Sequence, residues 1–324
     1  MSSRRTLLLL GLGCVALMAL SVFVGRYPAP YWMRPATLRT DPLAQRLVLN
    51  LRLPRVLTAC LLGMALSAAG MVMQMIFRNP LVEPGFLGVS QGAAFGAAFS
   101  IIFLDAATFW VQSFAALFAC LGLLFSYALA RHIRYGGWTL RLVLAGIAVS
   151  ALFSSGVGLL KYVADPLTEL PEIVFWMLGG LWAITWADVI VIAPVVALCL
   201  AVMLLMRWRL NVLSLDTKTA LSLGTAPARE RAVLLVAAVV ATASLVSVAG
   251  IVGWIGLIVP HLARRLLGAN AEHALPGALL IGGIFTILCD NVARAAMSGE
   301  IPLGILTSLL GALIFIALMV TREK

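Results

Sequence analysis

The sequence predicts an all-α polytopic membrane protein with about ten transmembrane helices and both termini in the cytoplasm. Three observations support this fold class: long runs without a charged side chain, a composition of 62% hydrophobic and 11% charged residues, and basic residues concentrated in alternate loops. A soluble domain typically carries about 25% charged residues. A soluble protein of 324 residues could not bury all of these runs. The chain is therefore expected to be a single integral membrane domain, 1–324.

The uncharged runs set the number of helices. Each is close to the ~20 residues that carry a helix across the ~30 Å hydrocarbon core. The main runs are 6–25, 56–77, 84–104, 106–130, 142–160, 189–206, 232–263, 274–289 and 301–321. A continuous helix over 232–263 would be roughly 48 Å long, which is too long for one crossing. Gly250, Gly253, Gly256 and Pro260 predict that it breaks into two segments, which makes ten crossings.

The positions of Lys and Arg test that count, because basic residues accumulate in cytoplasmic loops. With ten crossings and both ends inside, the cytoplasmic side receives 15 of the 23 basic residues. Those assigned to the outside are Arg26, Arg34, Arg39, Arg46, Arg52, Arg55, Lys161 and Arg294. The net charge of +10 then reflects membrane orientation and requires no nucleic-acid partner. One feature still needs an explanation, since the outer segment 26–55 is itself strongly basic.

No motif in the chain predicts catalysis. There is no GxxxxGK[ST] phosphate loop, so the chain is not expected to bind ATP in the P-loop manner. The five cysteines and three histidines show no metal-ligand spacing, and we expect neither a metal site nor an enzyme. No acid lies in the middle of an apolar run, where proton-coupled carriers commonly place a relay carboxylate. This disfavours a secondary transporter working without an ATPase, which stays as the alternative function.

Small and polar residues recur at helical spacing on three predicted helices. The first two sets allow close packing of helices or line a substrate path, and the serines form a polar face that could border water. The sets are Gly63, Ser67 and Gly70; Gly88, Gly92 and Gly96; and Ser150, Ser154 and Ser155.

Two predicted cytoplasmic connections are the most informative. In the first, RNPLVE at 78–83, Asn79 can cap a turn that Pro80 fixes, which predicts a defined conformation suited to a gate. In the second, 207–231, Asp216 and Thr217 predict the start of a short amphipathic helix ending near Gly224. Such a helix either lies at the lipid headgroups or inserts into a groove on a soluble partner.

The motifs resemble those of FecCD-type permeases, the membrane subunits of type II ABC importers for iron–siderophore, haem and cobalamin. Among the matches are RLPR at 52–55, GMALSAAGMVMQMIFRNPLVEPGFLGVSQGAA at 63–94, GIVGWIGLIVPHLARRLLG at 250–268, and DNVAR with EIPLG within 290–304. They occur in family order over roughly residues 50–320. The departures are small: Asp216 stands where the family usually has Gly, and Gly180 where it often has Ser.

The resemblance implies an importer subunit that moves a metal chelate into a bacterial or archaeal cytoplasm by alternating access, located in the cytoplasmic (inner) membrane. Its implied partners are a second copy, two cytoplasmic ATPase subunits that carry ATP and Mg²⁺, and an extracytoplasmic binding protein; no cofactor is expected on this chain.

The resemblance also assigns roles to individual residues. The ATPase-coupling segment, about 210–224, includes Leu213, Ser214, Leu215, Asp216, Thr217, Leu221, Leu223 and Gly224. The cytoplasmic gate comprises Asn79, Pro80, Leu81, Trp138 and Thr139. The translocation path includes Ser150, Ser154 and Ser155, and the binding protein docks at Arg52, Arg55 and Arg294.

Overall fold

The computed structural model describes residues 3–28, 31–104, 106–297 and 299–320. The predicted cytoplasmic residues Arg322 and Lys324 lie outside the described residues. The helices are α1 (Ser3–Ser21), α2 (Thr37–Thr40), α3 (Pro42–Leu47), α4 (Leu53–Phe77), α5 (Val89–Phe103), α6 (Thr108–His132), α7 (Trp138–Val163), α8 (Glu169–Leu178), α9 (Trp186–Leu205), α10 (Arg207–Leu213), α11 (Thr217–Ser222), α12 (Pro227–Ala249), α13 (Ile255–Leu267), α14 (Ala271–Ala295) and α15 (Leu303–Val320).

The described part of the chain confirms the all-α membrane class. Eight of its helices are long and apolar enough to cross a bilayer, with α3 and α4 joined by a π-helical turn at Val48–Arg52 into one 36-residue span. The shorter α5 and α13 would complete ten crossings. The count of ten and the cytoplasmic location of the termini stay predictions.

The predicted break in the run 232–263 is confirmed. The helix α12 ends at Ala249, and α13 begins at Ile255. Gly250 has φ +66°, and a Cβ there would lie 2.2 Å from the carbonyl oxygen of Trp176, so only glycine fits. Trp254 adopts the left-handed conformation with φ +71°. The break is therefore a short irregular segment, 250–254, rather than a simple kink.

The predicted span 84–104 begins later than expected. Residues Pro84–Leu87 form a 3₁₀ turn, Gly88 has φ +81°, and α5 starts only at Val89. At ~1.5 Å per residue α5 is roughly 22 Å long, shorter than the hydrocarbon core. The loop before it therefore reaches into the bundle, where irregular backbone is tolerated only if protein or a water-filled cavity surrounds it.

The helix α4 forms the centre of the bundle and packs against α9, α12, α13 and α14. A Cβ at Gly63 would lie 2.0 Å from the carbonyl oxygen of Gly282, and one at Gly70 would lie 2.0 Å from that of Gly256. Gly92 approaches the carbonyl oxygen of Phe118 on α6 as closely, at 2.3 Å from an added Cβ. These glycines let neighbouring backbones touch, which favours the packing interpretation of both glycine sets.

Pro260 lies inside α13 and leaves one helical carbonyl without its usual donor. That carbonyl belongs to Gly256, four residues earlier. The side chain of Gln74 on α4 replaces the donor: its Nε2 donates to the carbonyl oxygens of Gly256 at 3.3 Å and Leu257 at 3.1 Å. Arg264 in turn donates to Gln74 Oε1 at 2.5 Å. The Gln74 side chain on α4 thus satisfies the carbonyls near Pro260 and also accepts a hydrogen bond from Arg264.

Two elements were not predicted from the sequence. In the basic segment after α1, two strands of two residues each, β1 (Val24–Gly25) and β2 (Tyr31–Trp32), pair in an antiparallel arrangement. The ten-residue α8 follows α7 after a short turn. In that turn, Asp165 Oδ1 accepts the backbone N–H groups of Leu167 and Thr168. Both elements are too short for hydrophobic periodicity to identify them.

We expect Gly70→Ala to destabilise the protein by about 1–3 kcal/mol, because a Cβ would force the backbones of α4 and α13 apart. Gly158→Ala on α7 is the matched control, since nothing lies within 4 Å of its added Cβ and alanine favours a helix. Thermal unfolding of the detergent-solubilised protein measures both. Equal unfolding temperatures for the two variants would contradict the close packing.

Candidate functional site

The loop after α4 carries three of the predicted gate residues and has a defined conformation. Arg78 ends the helix in the left-handed conformation, with φ +49°. Asn79 Oδ1 then accepts the backbone N–H of Leu81 at 2.9 Å, which is the side-chain turn that the sequence predicted. Asn79, Pro80 and Leu81 are exposed. The loop therefore presents these residues on a fixed turn at one end of the bundle.

Trp138 and Thr139 begin α7 and lie beside this loop. The ring of Trp138 stacks on that of Phe77, the last residue of α4, with 6.1 Å between centroids and an interplanar angle of 18°. A cavity of about 440 Å³ is lined by Asn79, Trp138 and Thr139, together with Thr217. The fold thus brings the two halves of the predicted gate together, although they are far apart in sequence.

The predicted coupling segment consists of two short helices, α10 and α11, rather than one. Leu213 is fully buried, whereas Leu215, Leu221 and Leu223 are 42%, 56% and 58% exposed. A row of exposed leucines on a segment anchored by a buried one is suited to a partner's apolar groove. The expected short helix exists as α11, with Ala220 buried and Leu221 exposed, and the exposed Leu215 and Leu223 flank it.

Asp216 caps α11 as expected. Its side chain accepts the backbone N–H groups of Lys218 and Thr219 and the hydroxyl of Thr219. The hydrogen bond from the Thr219 hydroxyl is the main cause that holds the pKa of Asp216 below its ordinary value, so the carboxylate is ionised at neutral pH. Ser214 donates to the carbonyl oxygen of Asn211, and Gly224 has φ +76°. Asp216 is therefore a helix cap in this chain.

Arg231 contacts both helices of the predicted coupling segment, which the sequence did not reveal. It lies near the start of α12 and is only 6% exposed. Its Nη2 donates to the carbonyl oxygen of Leu213 at 2.9 Å, and its Nη1 to Thr217 Oγ1 at 3.3 Å. In the sequence, Arg231 is one of several basic residues near Pro227, where α12 begins. Nothing in the sequence distinguishes it from the others.

The predicted path residues divide into two groups. Ser150 lines a cleft of about 350 Å³, together with Glu83, Ser90, Gln91 and Thr242. Ser154 and Ser155 are exposed on the outer face of α7 and do not line that cleft. The three serines therefore form a stripe that continues from the cleft onto an open helix face.

Glu83 was expected in a cytoplasmic loop, but it lines this cleft inside the bundle. Its Oε2 accepts the backbone N–H of Trp254 at 3.4 Å, at the start of α13. Because Pro84 and Gly88 delay the start of α5, the acid reaches the break between α12 and α13. Sequence reasoning missed this because Glu83 lies just outside an apolar run.

Two of the three predicted docking arginines, Arg55 and Arg294, are buried in ion pairs rather than exposed. Arg55 is 9% exposed; its Nε donates to Asp290 at 2.8 Å and its Nη1 to both oxygens of Glu300 at 2.8 and 2.9 Å. Arg294 Nε lies 3.5 Å from the second oxygen of Asp290, and its Nη2 donates to the carbonyl oxygen of Ser21. Burial of arginine requires such partners, and their docking role stays a prediction.

Arg52 is half-buried and donates to the carbonyl oxygens of Val22 and Tyr27 at 3.3 and 3.0 Å. With Arg26, Arg55 and Arg294 it lines a cavity of about 350 Å³ that contains one acid, Glu300. The exposed arginines of this end are Arg26, Arg34, Arg39 and Arg46. A positive, open surface therefore surrounds a buried ionic cluster.

The gate and the ionic cluster lie at opposite ends of α4, which begins beside Arg55 and ends at Phe77. At ~1.5 Å per residue, these two residues are roughly 33 Å apart, about the thickness of the hydrocarbon core. Within the described ranges, no three His, Cys, Asp or Glu side chains converge as a metal site would require.

Comparisons with known proteins place these features in a family. The profile of the FecCD transport family matches residues 12–321. A Helicobacter pylori protein named "Probable iron chelatin transport system permease protein" is 41% identical over 84% of this chain and 82% of its own. The molybdate import system permease protein MolB of Haemophilus influenzae is 38% identical over 91% of this chain and 89% of its own.

The fold is also similar to that of a solved structure, described as an inward-facing conformation of a metal-chelate type ABC transporter. The two sequences are 37% identical, and the structures superpose with a TM-score of 0.90. The match covers 98% of this chain and 99% of the other.

We expect Asp290→Asn to destabilise the protein by about 3–5 kcal/mol, because it leaves Arg55 and Arg294 with less compensating charge. Glu300→Gln is the matched control, because it makes the same chemical change in a side chain that is 38% exposed. Water can replace part of the lost ion pair there, so the loss of folding stability should be clearly smaller. Thermal unfolding of both purified variants measures the difference. A control as damaging as Asp290→Asn would contradict the assigned burial.

Proposed function

Since the chain belongs to the FecCD transport family, we propose that it is the permease subunit of an ATP-driven importer that moves a metal chelate into the cytoplasm by alternating access. Its named relatives are permease subunits, so the chain is a transport component rather than an enzyme. The observation that carries the proposal is the cavity shared by Asn79, Trp138, Thr139 and Thr217, because it joins the gate to the segment that an ATPase would contact.

In this proposal the chain works as a homodimer with two cytoplasmic ATPase subunits. The exposed face of α7, with Ser154, Ser155 and the apolar Leu152 and Leu159, is suited to a second copy across a central path. ATP and Mg²⁺ bind the ATPase subunits, and this chain holds no cofactor. The assembly resides in the cytoplasmic (inner) membrane of a bacterium or archaeon.

The mechanism follows from the two ends of the bundle. The binding protein releases its substrate into the path at the end that carries Arg55. ATP binding draws the ATPase subunits together, and their grooves move the exposed Leu221 and Leu223 at the end of α11. The motion reaches Trp138 and the Asn79 turn, which then change the width of the cytoplasmic opening. The path then has two conformations, one open to each side of the membrane. Switching between them during each cycle of ATP hydrolysis is sufficient for transport.

Docking of the binding protein uses the basic outer end. Arg52, Arg55 and Arg294 line the cavity at the base of the docking site, while the exposed Arg34, Arg39 and Arg46 on the surrounding surface attract acidic residues of the partner. Exposed charges chiefly accelerate association and set orientation. This explains why an outer segment is basic against the usual distribution of Lys and Arg.

The proposed substrates are iron–siderophore, haem or cobalamin. Relatives are named for an iron chelatin, hemin and cobalamin, and the relative named for molybdate makes an oxyanion the second candidate. Elemental analysis of the binding protein isolated with its natural ligand separates these, since iron, cobalt and molybdenum are distinct. A ligand without any of these metals would contradict the substrate class.

We expect Leu221→Asp together with Leu223→Asp to release the ATPase subunits, because each buries an unpaired charge in an apolar groove. The amount of ATPase that co-purifies with the permease should fall by about tenfold, which corresponds to about 1.4 kcal/mol. Ser222→Asp is the control, since it adds one such charge between these two positions without removing apolar surface. An undiminished complex in the double variant would exclude this face as the ATPase contact, and a secondary transporter would bind no ATPase at all.

Reversing charge with Arg34→Glu and Arg39→Glu should slow association of the binding protein by about tenfold at low salt, because exposed charges steer encounter. The difference from the native protein should shrink as salt rises, since the Debye length falls to about 3 Å at 1 M. Surface plasmon resonance against the permease in nanodiscs measures the rates. Arg265→Glu, exposed at the other end, is the control, and an equal effect there would contradict docking at the basic outer end.

A further inference from the structure

Arg231 holds both halves of the coupling segment with a single side chain. The carbonyl oxygen of Leu213 ends α10, and the hydroxyl of Thr217 begins α11, on either side of the turn at Asp216. A guanidinium is planar and rigid, so its donors keep a constant orientation relative to each other. Any displacement of the segment must therefore shift the guanidinium or break one of these two hydrogen bonds.

The same guanidinium also contacts the gate. Its Cζ lies 5.9 Å from the centroid of the Trp138 ring, within cation–π range. The Trp138 ring stacks on Phe77, and Phe77 immediately precedes Arg78 and Asn79. An uninterrupted series of contacts thus runs from α10 and α11 through Arg231 and Trp138 to the gate loop.

We propose that Arg231 is the positioning residue that transmits movement of the coupling segment to the gate. The proposal rests on the proposed function and adds to it the route of transmission. Because Arg231 is 6% exposed, its charge cannot turn to water when the segment moves, and it stays between its partners. Displacement of α10 and α11 then moves the Trp138 ring and, through Phe77, the Asn79 turn.

The test measures the response of the gate to nucleotide, because contact alone does not establish energetic coupling. The permease is purified with its ATPase subunits, with Thr139→Cys as a gate probe and Cys120→Ala to remove the exposed cysteine. The labelling rate of the introduced thiol is compared without nucleotide and with ATP plus vanadate. ATPase stoichiometry and hydrolysis are measured on the same samples.

We expect Arg231→Met to reduce the nucleotide-dependent change in labelling by about threefold or more, with the ATPase subunits still bound and hydrolysing ATP. The nucleotide-dependent change in labelling of Arg231→Lys should lie between those of the native complex and Arg231→Met. A lysine ammonium keeps the charge but cannot hold both acceptors in the fixed geometry of a guanidinium. Arg229→Met is the matched control: it removes the same charge two residues earlier, from an exposed position, and should respond like the native complex.

Thr217→Val is a second variant, which removes one acceptor from an exposed position without disturbing the core. Adding Thr217→Val to Arg231→Met should cause no further reduction of the nucleotide-dependent labelling change, because both substitutions interrupt the same contact. A native response in Arg231→Met, or effects of the two variants that add independently, would overturn the proposal. If Arg231→Met does not assemble, Thr217→Val alone decides: a native response overturns the proposal. A native complex whose gate ignores nucleotide would instead refute the proposed function, and this inference with it.

Discussion

The absence of water in the bilayer core dictates much of this structure, because every backbone polar group there needs a partner within the protein. In the described part of the chain, the irregular segments 82–88 and 250–254 meet inside the bundle, whereas 78–81 form the exposed turn at its end. Gln74 supplies the donors near Pro260, and Glu83 accepts the backbone N–H of Trp254. Close contact through Gly70 brings α4 near enough for these bonds to form. Irregular backbone, which a moving gate requires, is therefore compatible with a stable membrane core.

The two ends of α4 handle charge differently. At the end near Arg55, two buried arginines share Asp290, and exposed arginines surround them. At the other end, Arg231 is buried against carbonyl and hydroxyl oxygens and an aromatic ring rather than a carboxylate. Salt-bridged arginine makes a rigid platform, whereas arginine held by neutral acceptors keeps weaker, more adjustable contacts. This difference is appropriate for a docking platform at one end and a transmission element at the other.

Much of this arrangement could be predicted from the sequence, because lipid restricts spanning segments to long apolar helices whose breaks need glycine or proline. The division at Gly250, the turn at Asn79 and the cap at Asp216 are local effects of single residues, and the structure confirms all three. The burial of Arg55 and Arg294 could not be predicted, since their partners Asp290 and Glu300 approach only through tertiary packing. For the same reason, Glu83 in the cleft and the contacts of Arg231 could not be recognised from spacing along the chain.

The most direct test of the account is whether the two ends face opposite sides of the membrane. Arg34→Cys and Leu221→Cys, each with Cys120→Ala, are labelled with a membrane-impermeant thiol reagent in right-side-out and inverted vesicles. We predict that Arg34→Cys reacts only from the extracytoplasmic side, and that Leu221→Cys reacts only from the cytoplasmic side, less readily when the ATPase subunits are bound. Labelling of both positions from the same side would contradict the account.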